Sequence, residues 1–347
     1  MDLHNEILEF AKHALGIQEE SAPVHMTPVT GGGSNRSFYR IRHGDNRSAI
    51  FMHYDRSYGE NAYYAAIAEF LRGIGVSVPR IMAHDTARGF IVMDDLGDID
   101  LWFYRHEPWQ IRREFYFKTL TIISNLHTFP IKNFPKRKVH LMEGFGPALY
   151  QWEQDYFLEN FVQTVCGLKL NPSDKQDLAN ELGALSQRLE NTKPCLIHRD
   201  LQSRNIMIRE NEPVLIDFQG MRFGNLSYDL GSLLYDPYVS LNNDERMELL
   251  QYYYILSNRD ELIDWLSFQK MFQDASAQRL MQALGAYGFL GLKRGISEFL
   301  PHIPRGLANL IDASVQSKRI PRLHNLALKC QDALRFGLNN FRSYAKE

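Results

Sequence analysis

Cysteine is scarce in this sequence of 347 residues. The three cysteines, Cys166, Cys195 and Cys330, are far apart and odd in number. They form neither a spaced zinc-ligand pattern nor the disulfide framework that small secreted proteins use. This usage is typical of a reducing compartment, and we expect the protein to be cytoplasmic.

Net charge and long apolar runs are lacking as well. The formal net charge is −2, so no overall field would recruit nucleic acid or an anionic membrane. No apolar run approaches the length of a membrane span, and the first residues carry Asp2, Glu6 and Glu9 instead of a signal-peptide core. We therefore expect no nucleic-acid partner and no membrane association.

The chain does have the length and hydrophobic content of a protein with two lobes around a cleft, since 44% of its 347 residues are hydrophobic. Hydrophobic spacing predicts helices over 2–15, 60–72, 109–127, 147–166 and 173–190, strands over 37–42 and 48–53, and further helices over 244–343. Pro23 and Pro28 predict a break in the chain after the first helix.

Three polar side chains stand out between residues 196 and 219: Asp200, Asn205 and Asp217. The run from His198 to Asn205 has the spacing of a kinase catalytic loop. Asp217 follows an apolar run, 214–216, that predicts a short buried strand, and a strand end holds a metal ligand rigidly. Any one of these residues alone is typical of a solvated turn or a helix cap. Their joint occurrence in this order favours a functional site.

The residue types suit phosphoryl transfer, which depends mostly on positioning and on neutralising charge. Asp200 is suited to orienting an acceptor hydroxyl and taking its proton. Mg²⁺ prefers oxygen ligands and needs few carboxylates when phosphates share it, so Asn205 and Asp217 are the candidate metal ligands.

This segment resembles the aminoglycoside phosphotransferase-like branch of the protein-kinase-like fold, which pairs a His-x-Asp-(x)4-Asn loop with a downstream Ile-Asp-(Phe/Trp) motif. The combination with Asp217-Phe218-Gln219 is most similar to bacterial anomeric amino-sugar kinases, which phosphorylate N-acetylmuramate and N-acetylglucosamine at C1. The resemblance implies an α+β, two-lobed fold. A small antiparallel β-sheet N-lobe would cover 1–96, and a larger, mainly helical C-lobe with the catalytic loop, metal motif and acceptor site would cover 97–347.

A glycine-rich loop over 31–37 precedes the first predicted strand. Glycines let backbone N–H groups approach phosphates closely, although a plain hairpin is the commoner explanation of a glycine run. The resemblance places the nucleotide loop here and implies contacts to ATP from Gly32, Gly33, Ser34, Asn35 and Arg36.

One position departs from the family pattern. The family usually carries a Lys or Arg on the following strand to hold the phosphates, whereas this chain has Met52. Another cation must then neutralise the phosphates, and the candidates are Arg36, Arg40 and Arg204. A surface ion pair is the alternative for each of them.

The apolar run 90–93 leads into an acidic link that contains Asp94, Asp95 and Gly97. From residues alone it predicts a strand and a turn. The resemblance implies that this link joins the lobes and that its backbone, around Met93 and Asp95, pairs with the adenine edge.

The resemblance also implies supporting roles for His198, Arg204 and Asp229, with Asp229 bonding the backbone of the catalytic loop. A helix N-cap is the competing account of Asp229. Gln219 replaces the glycine that protein kinases have after Asp-Phe, and the distance from Asp217 to Asp229 is too short for an activation segment. Both features argue against a protein kinase.

We expect the acceptor to be a small molecule with a hydroxyl group, specifically a sugar. Glu153 and Asn160 share one face of the helix over 147–166 among aromatic residues, which suits sugar binding, although such residues are more often core. The basic C-terminal region disfavours a polycationic acceptor. An aminoglycoside kinase and a nucleotide-binding pseudokinase are the alternative functions.

Overall fold

The computed structural model describes residues 3–18, 24–29, 36–44, 47–257 and 263–341, with side chains as far as Arg335. Within these ranges the N-terminal part holds an antiparallel five-stranded sheet of order β1-β2-β3-β5-β4. Its strands are β1 His25–Val29, β2 Arg36–His43, β3 Arg47–Tyr54, β4 Ile81–Asp85 and β5 Phe90–Asp94. Two helices accompany it, α1 Leu3–Leu15 and α2 Gly59–Gly73.

Both faces of this sheet are covered, which explains why the middle of β3 and most of β5 are apolar. On β3, Ala49 and Phe51 pack with Ile7 and Ala11 of α1. Met52, one residue further on, belongs to the core on the α2 side. Successive side chains of a strand point to opposite faces, so one strand serves two cores.

The predicted break at Pro28 is wrong. Pro28 lies inside β1, opposite Tyr39 of β2. β1 is the edge strand of the sheet. Proline is tolerated at a sheet edge because its missing N–H can face solvent there.

The remainder of the described chain is mainly helical, which confirms the predicted fold class. Its helices are α3 Trp109–His127, α4 Pro147–Phe157, α5 Pro172–Glu190, α6 Leu226–Leu234, α7 Asn243–Ser257, α8 Trp265–Gly288, α9 Ile303–Ser317 and α10 Pro321–Phe341. Four short strands form two antiparallel pairs around the predicted catalytic loop. The strand β6 Cys195–Ile197 pairs with β9 Arg222–Gly224, and β7 Ile206–Arg209 pairs with β8 Glu212–Leu215.

Helix α4 is shorter than the helix predicted over 147–166. A π-helical segment, Leu158–Gln163, continues it. This widened turn lies against α8, where Gly288 faces the carbonyl oxygen of Asn160. Helix α8 is buried along most of its length and packs against α4, α6 and α9, so it is the central helix of this part. In the described ranges, no helix combines the length and apolar character needed to cross a bilayer.

We expect Gly288→Ala to destabilise the protein by about 1–3 kcal/mol, because the new methyl group would overlap the Asn160 carbonyl. Gly183→Ala in α5 is the matched control. Nothing lies within 4 Å of where a Cβ would stand at that position. Alanine favours a helix more than glycine does, so this substitution should raise the free energy of unfolding by about 0.5–1 kcal/mol. Urea unfolding followed by circular dichroism measures both changes. Equal effects of the two substitutions would contradict this account of the α4–α8 contact.

Candidate active site

The loop from His198 to Asn205 begins where β6 ends, and the carboxylate of Asp229 in α6 holds its start. The backbone N–H groups of His198 and Arg199 each donate to Asp229 at 2.7 Å. Arg199 has a φ of 78°, a left-handed conformation that costs free energy in a non-glycine residue. Two charge-assisted hydrogen bonds to a fully buried carboxylate offset that cost.

Asp229 is itself fixed by a buried histidine. The Nε2 of His127 in α3 lies 3.0 Å from Asp229 Oδ2, and the Nδ1 of His127 lies 2.6 Å from the Tyr253 hydroxyl in α7. Residues of α3, α6 and α7 therefore fix the position of this carboxylate, which in turn holds the start of the loop.

His198 connects the loop to the strand that precedes Asp217. Its Nε2–H donates to the carbonyl oxygen of Ile216 at 3.0 Å, and its Nδ1 accepts from the backbone N–H of Asp200 at 3.3 Å. The side chain of Asn205 donates to the carbonyl oxygen of Asp200 at 2.9 Å, which leaves its amide oxygen for another partner. The fold thus brings Asp200, Asn205 and Asp217 together around one histidine.

Asp200 is partly open to solvent, with 30% of its side chain exposed. Its Oδ1 accepts a 2.8 Å hydrogen bond from Nη2 of Arg279 in α8. The Nη1 of Arg199 lies 3.7 Å from its Oδ2. Because cations flank the carboxylate, its orientation is set while one edge stays accessible to an acceptor.

Asp217 follows β8 in a left-handed conformation with a φ of 64°. Burial by itself would raise the pKa of Asp217, but Arg36 and the side-chain amide of Gln219, whose Nε2 is 3.0 Å away, hold that pKa below its usual value. The next residue, Phe218, stacks on Tyr64 of α2 with ring centroids 4.4 Å apart. Asp217 is therefore an ionised carboxylate anchored between the sheet part and the helical part.

A magnesium ion fits this donor set. Among the described residues there is no cluster of three or more His, Cys, Asp or Glu side chains that would form a protein-only metal cage. Mg²⁺ does not need such a cage, because phosphates and waters complete its octahedron. Asp217 and Asn205 are the residues that would hold it.

The three candidate arginines have different partners. Arg36, at the start of β2, hydrogen-bonds Asp217 directly. Arg40 pairs with Asp95 at 2.7 Å and with Asp98 at 2.8 Å. Arg204 lies 3.6 Å from Asp100 and 4.4 Å from the centroid of the Trp102 ring. Within the described ranges, Arg36 is thus the one of the three that reaches the metal motif.

Met52 is fully buried in the core between β3 and α2. The predicted nucleotide contacts Gly32, Gly33, Ser34 and Asn35 lie outside the described residues. In the sequence these residues directly precede Arg36, the first residue of β2 and the arginine that bonds Asp217.

The link after β5 is held by its own acidic residues. Asp95 accepts from Arg40 and, at 3.0 Å, from the backbone N–H of Gly97. Burial opposes the charge of Asp95, but these bonds hold its pKa below the usual value. Met93 is buried, and its sulfur lies 3.8 Å from the Tyr64 hydroxyl. Their side chains are therefore used in packing and pairing, which leaves the backbone as the predicted adenine contact.

Glu153 and Asn160 are not on an open face of α4. Glu153 is 0% exposed and accepts from the Tyr228 hydroxyl at 2.8 Å and from Gln278 Nε2 at 3.0 Å. Asn160 is 2% exposed and donates to the carbonyl oxygen of Tyr156 at 3.0 Å. This burial favours packing roles over the predicted sugar contacts, because helical spacing gives a shared face without saying what covers it.

Sequence reasoning missed two buried arginines of this region: Arg279 in α8, which bonds Asp200, and Arg222 in β9, which lies beside Arg199. Arg279 is 79 positions from Asp200 along the chain, so no local spacing connects them. One signal was available: most residues over 275–284 are small or apolar, and a cation in such a stretch needs a buried partner.

Several known kinases are similar to this chain. A relative named N-acetylmuramate/N-acetylglucosamine kinase, from Neisseria meningitidis, is 24% identical over 299 residues, which cover 85% of this chain and 87% of the relative. Among solved structures, an ethanolamine kinase from Plasmodium vivax has a TM-score of 0.63 at 14% identity, covering 89% of this chain and 88% of that one.

A ternary complex of an aminoglycoside phosphotransferase, APH(2")-IIa, with streptomycin and ATP has a TM-score of 0.53 at 14% identity, covering 87% of this chain and 97% of that one. At these identities the two structures establish the protein-kinase-like fold. The model of the phosphotransferase enzyme family matches residues 25–265. The chain therefore belongs to the phosphotransferase enzyme family and is an ATP-dependent small-molecule kinase.

Proposed function

We propose that the protein transfers the γ-phosphoryl group of ATP to the anomeric hydroxyl of an N-acetylated amino sugar, N-acetylmuramate or N-acetylglucosamine. The observation that carries the chemistry is the arrangement of Asp200 and Asp217 on the two sides of His198, with Asp229 holding the loop. The name of the Neisseria relative, N-acetylmuramate/N-acetylglucosamine kinase, supports the acceptor class. The anomeric hydroxyl is the most acidic hydroxyl of a free sugar, so a carboxylate base suits it.

In this proposal each residue near the cleft has one role. Asp200 orients the acceptor hydroxyl and takes its proton, and Asn205 and Asp217 hold Mg²⁺. The glycine-rich loop over 31–37 covers the phosphates, and the backbone around Met93 and Asp95 binds adenine. We propose the boundary between the lobes after residue 96.

Arg36 would take the place of the phosphate-binding lysine that Met52 replaces. A guanidinium already within hydrogen-bonding distance of Asp217 would lie beside the phosphates that share the metal with Asp217. The bound Mg²⁺ would neutralise charge on the transferring phosphoryl group. Arg36 would add a fixed positive charge beside the same phosphates.

A coupled ADP-release assay with ATP and Mg²⁺ tests the acceptor. The panel contains N-acetylmuramate, N-acetylglucosamine, glucose, kanamycin, choline and homoserine, and phosphorus NMR locates the phosphate in the product. We expect turnover on the N-acetyl sugars with phosphate at C1. Turnover confined to kanamycin or choline, or phosphate at another hydroxyl, would contradict the proposal.

We expect Asp200→Ala and Asp217→Ala each to lower kcat by about 10²–10⁴-fold or more, because one removes the proton acceptor and the other a metal ligand. Asp332→Ala, at an exposed position on α10, is the control and should keep wild-type turnover. Thermal unfolding of each variant checks that it is folded. Substantial turnover in a folded Asp200 or Asp217 variant would defeat the assigned roles.

We expect Arg36→Met to lower kcat/KM for ATP about tenfold to a hundredfold, the range for losing a charge-assisted contact. The double variant Arg36→Met/Met52→Lys restores a cation at the position where the family usually has one and should recover part of that loss. Arg42→Met, an exposed arginine on the same strand, is the control. If Arg36→Met leaves kcat/KM for ATP unchanged, another cation serves the phosphates.

A further inference from the structure

Three arginines lie in a row that ends at Asp200: Arg279 and Arg199 flank its carboxylate at 2.8 Å and 3.7 Å, and Arg222 lies beside Arg199. Arg222 and Arg279 are buried, at 7% and 6% exposure. The Nε of Arg222 donates to the carbonyl oxygen of Gly220 at 3.0 Å. The side chain of Arg199 runs past the same glycine, with its Cδ 3.5 Å from where a Cβ would stand. The two guanidinium groups are thus neighbours.

The two like charges disfavour each other. Burial and the neighbouring Arg199 lower the pKa of Arg222 to about 10, and Tyr228, Glu153 and Glu60 compensate only in part. Like charges placed side by side in a poorly solvated position cost free energy unless an anion joins them.

The nearby carboxylates do not supply that anion to Arg222. Asp200 pairs with Arg279 at 2.8 Å and lies 3.7 Å from Arg199. Glu153 accepts from Tyr228 and Gln278, and burial raises its pKa. In the described part of the chain no carboxylate lies within 4.0 Å of Arg222, and the buried Nε of Arg199 has no hydrogen-bond partner. The Arg222 guanidinium lies 5.5 Å from the centroid of the Phe145 ring.

We infer that Arg222, with Arg199 beside it, binds a carboxylate of the acceptor, so that an N-acetylated hexosamine bearing an acidic substituent is preferred over its neutral counterpart. This inference rests on the proposed function and deepens it. An arginine presents paired N–H groups that match a carboxylate, and the low local dielectric strengthens the pairing. Arg279 has a separate task, since its Nη2 is committed to Asp200.

The alternative assignment for these cations is the transferring phosphoryl group, which every acceptor shares. The two assignments differ in a measurable way. A carboxylate-binding arginine affects the ratio of kcat/KM between acidic and neutral acceptors. A phosphate-binding arginine lowers both values by the same factor.

The experiment compares N-acetylmuramate, its methyl ester and N-acetylglucosamine as acceptors for wild type, Arg222→Met and Arg222→Lys. We expect wild type to prefer the acid over the ester. In Arg222→Met the ratio of kcat/KM for N-acetylmuramate to that for the ester should fall about tenfold to a hundredfold. For Arg222→Lys the ratio should lie between those of wild type and Arg222→Met, because lysine keeps the positive charge but lacks the paired N–H groups. Arg335→Met, whose side chain is 66% exposed on α10, should keep the wild-type ratio.

The ester makes the test independent of whether an Arg222 variant folds, since it removes the charge from the substrate instead. Equal kcat/KM for acid and ester in wild type overturns the inference, and so does an unchanged ratio in folded Arg222→Met. If the sugars are phosphorylated but neither the preference for the acid nor the change in the ratio is seen, this inference fails and the proposed function stands. Absence of turnover on every N-acetylhexosamine overturns the proposed function, and this inference with it.

Discussion

The buried carboxylate of Asp229 is the interaction on which the geometry of the candidate active site depends. It accepts hydrogen bonds from the backbone N–H groups of His198 and Arg199, the first two residues of the catalytic loop. Arg199 has an unfavourable positive φ. His127 and Tyr253 fix the carboxylate in turn from α3 and α7. Without that anchor, Arg199 would lose the hydrogen bonds that offset the cost of its left-handed conformation. Positioning is the larger part of phosphoryl-transfer catalysis, so such an anchor serves the chemistry indirectly.

Charge in the cleft is arranged by elements that are distant in sequence. Arg36 comes from the sheet, Arg199 from the loop, Arg222 from β9 and Arg279 from α8. Arg36 and Arg279 each bond one of the two aspartates, whereas Arg222 has no carboxylate close to it among the described residues. Under the proposed function, the magnesium–phosphate complex would lie beside Arg36 and Asp217, and the anionic group of the acceptor beside Arg222.

Met52 is a core residue, and the cation that we propose in place of the usual lysine, Arg36, comes from the neighbouring strand. Met52 faces the α2 side of β3 and fills core space there. Arg36 begins the neighbouring strand, and the register pairs Phe38 with Met52, so Arg36 lies two residues further along the ladder. A cation at that end of β2 reaches Asp217 without burying a charge in the core.

By itself the sequence determined the fold class, most helix positions and the motif residues Asp200, Asn205 and Asp217, because hydrophobic period and motif spacing are local properties of the chain. It misjudged Pro28, whose tolerance depends on β1 being a sheet edge. It placed Glu153 and Asn160 on one face of a helix, but the packing of α8 decided that this face is covered. Only the tertiary structure decided that Arg36 meets Asp217 and that Arg279 meets Asp200. Those contacts join residues separated by 181 and 79 positions. Contacts over such separations follow from how the helices and the sheet pack, and no spacing within a segment encodes them.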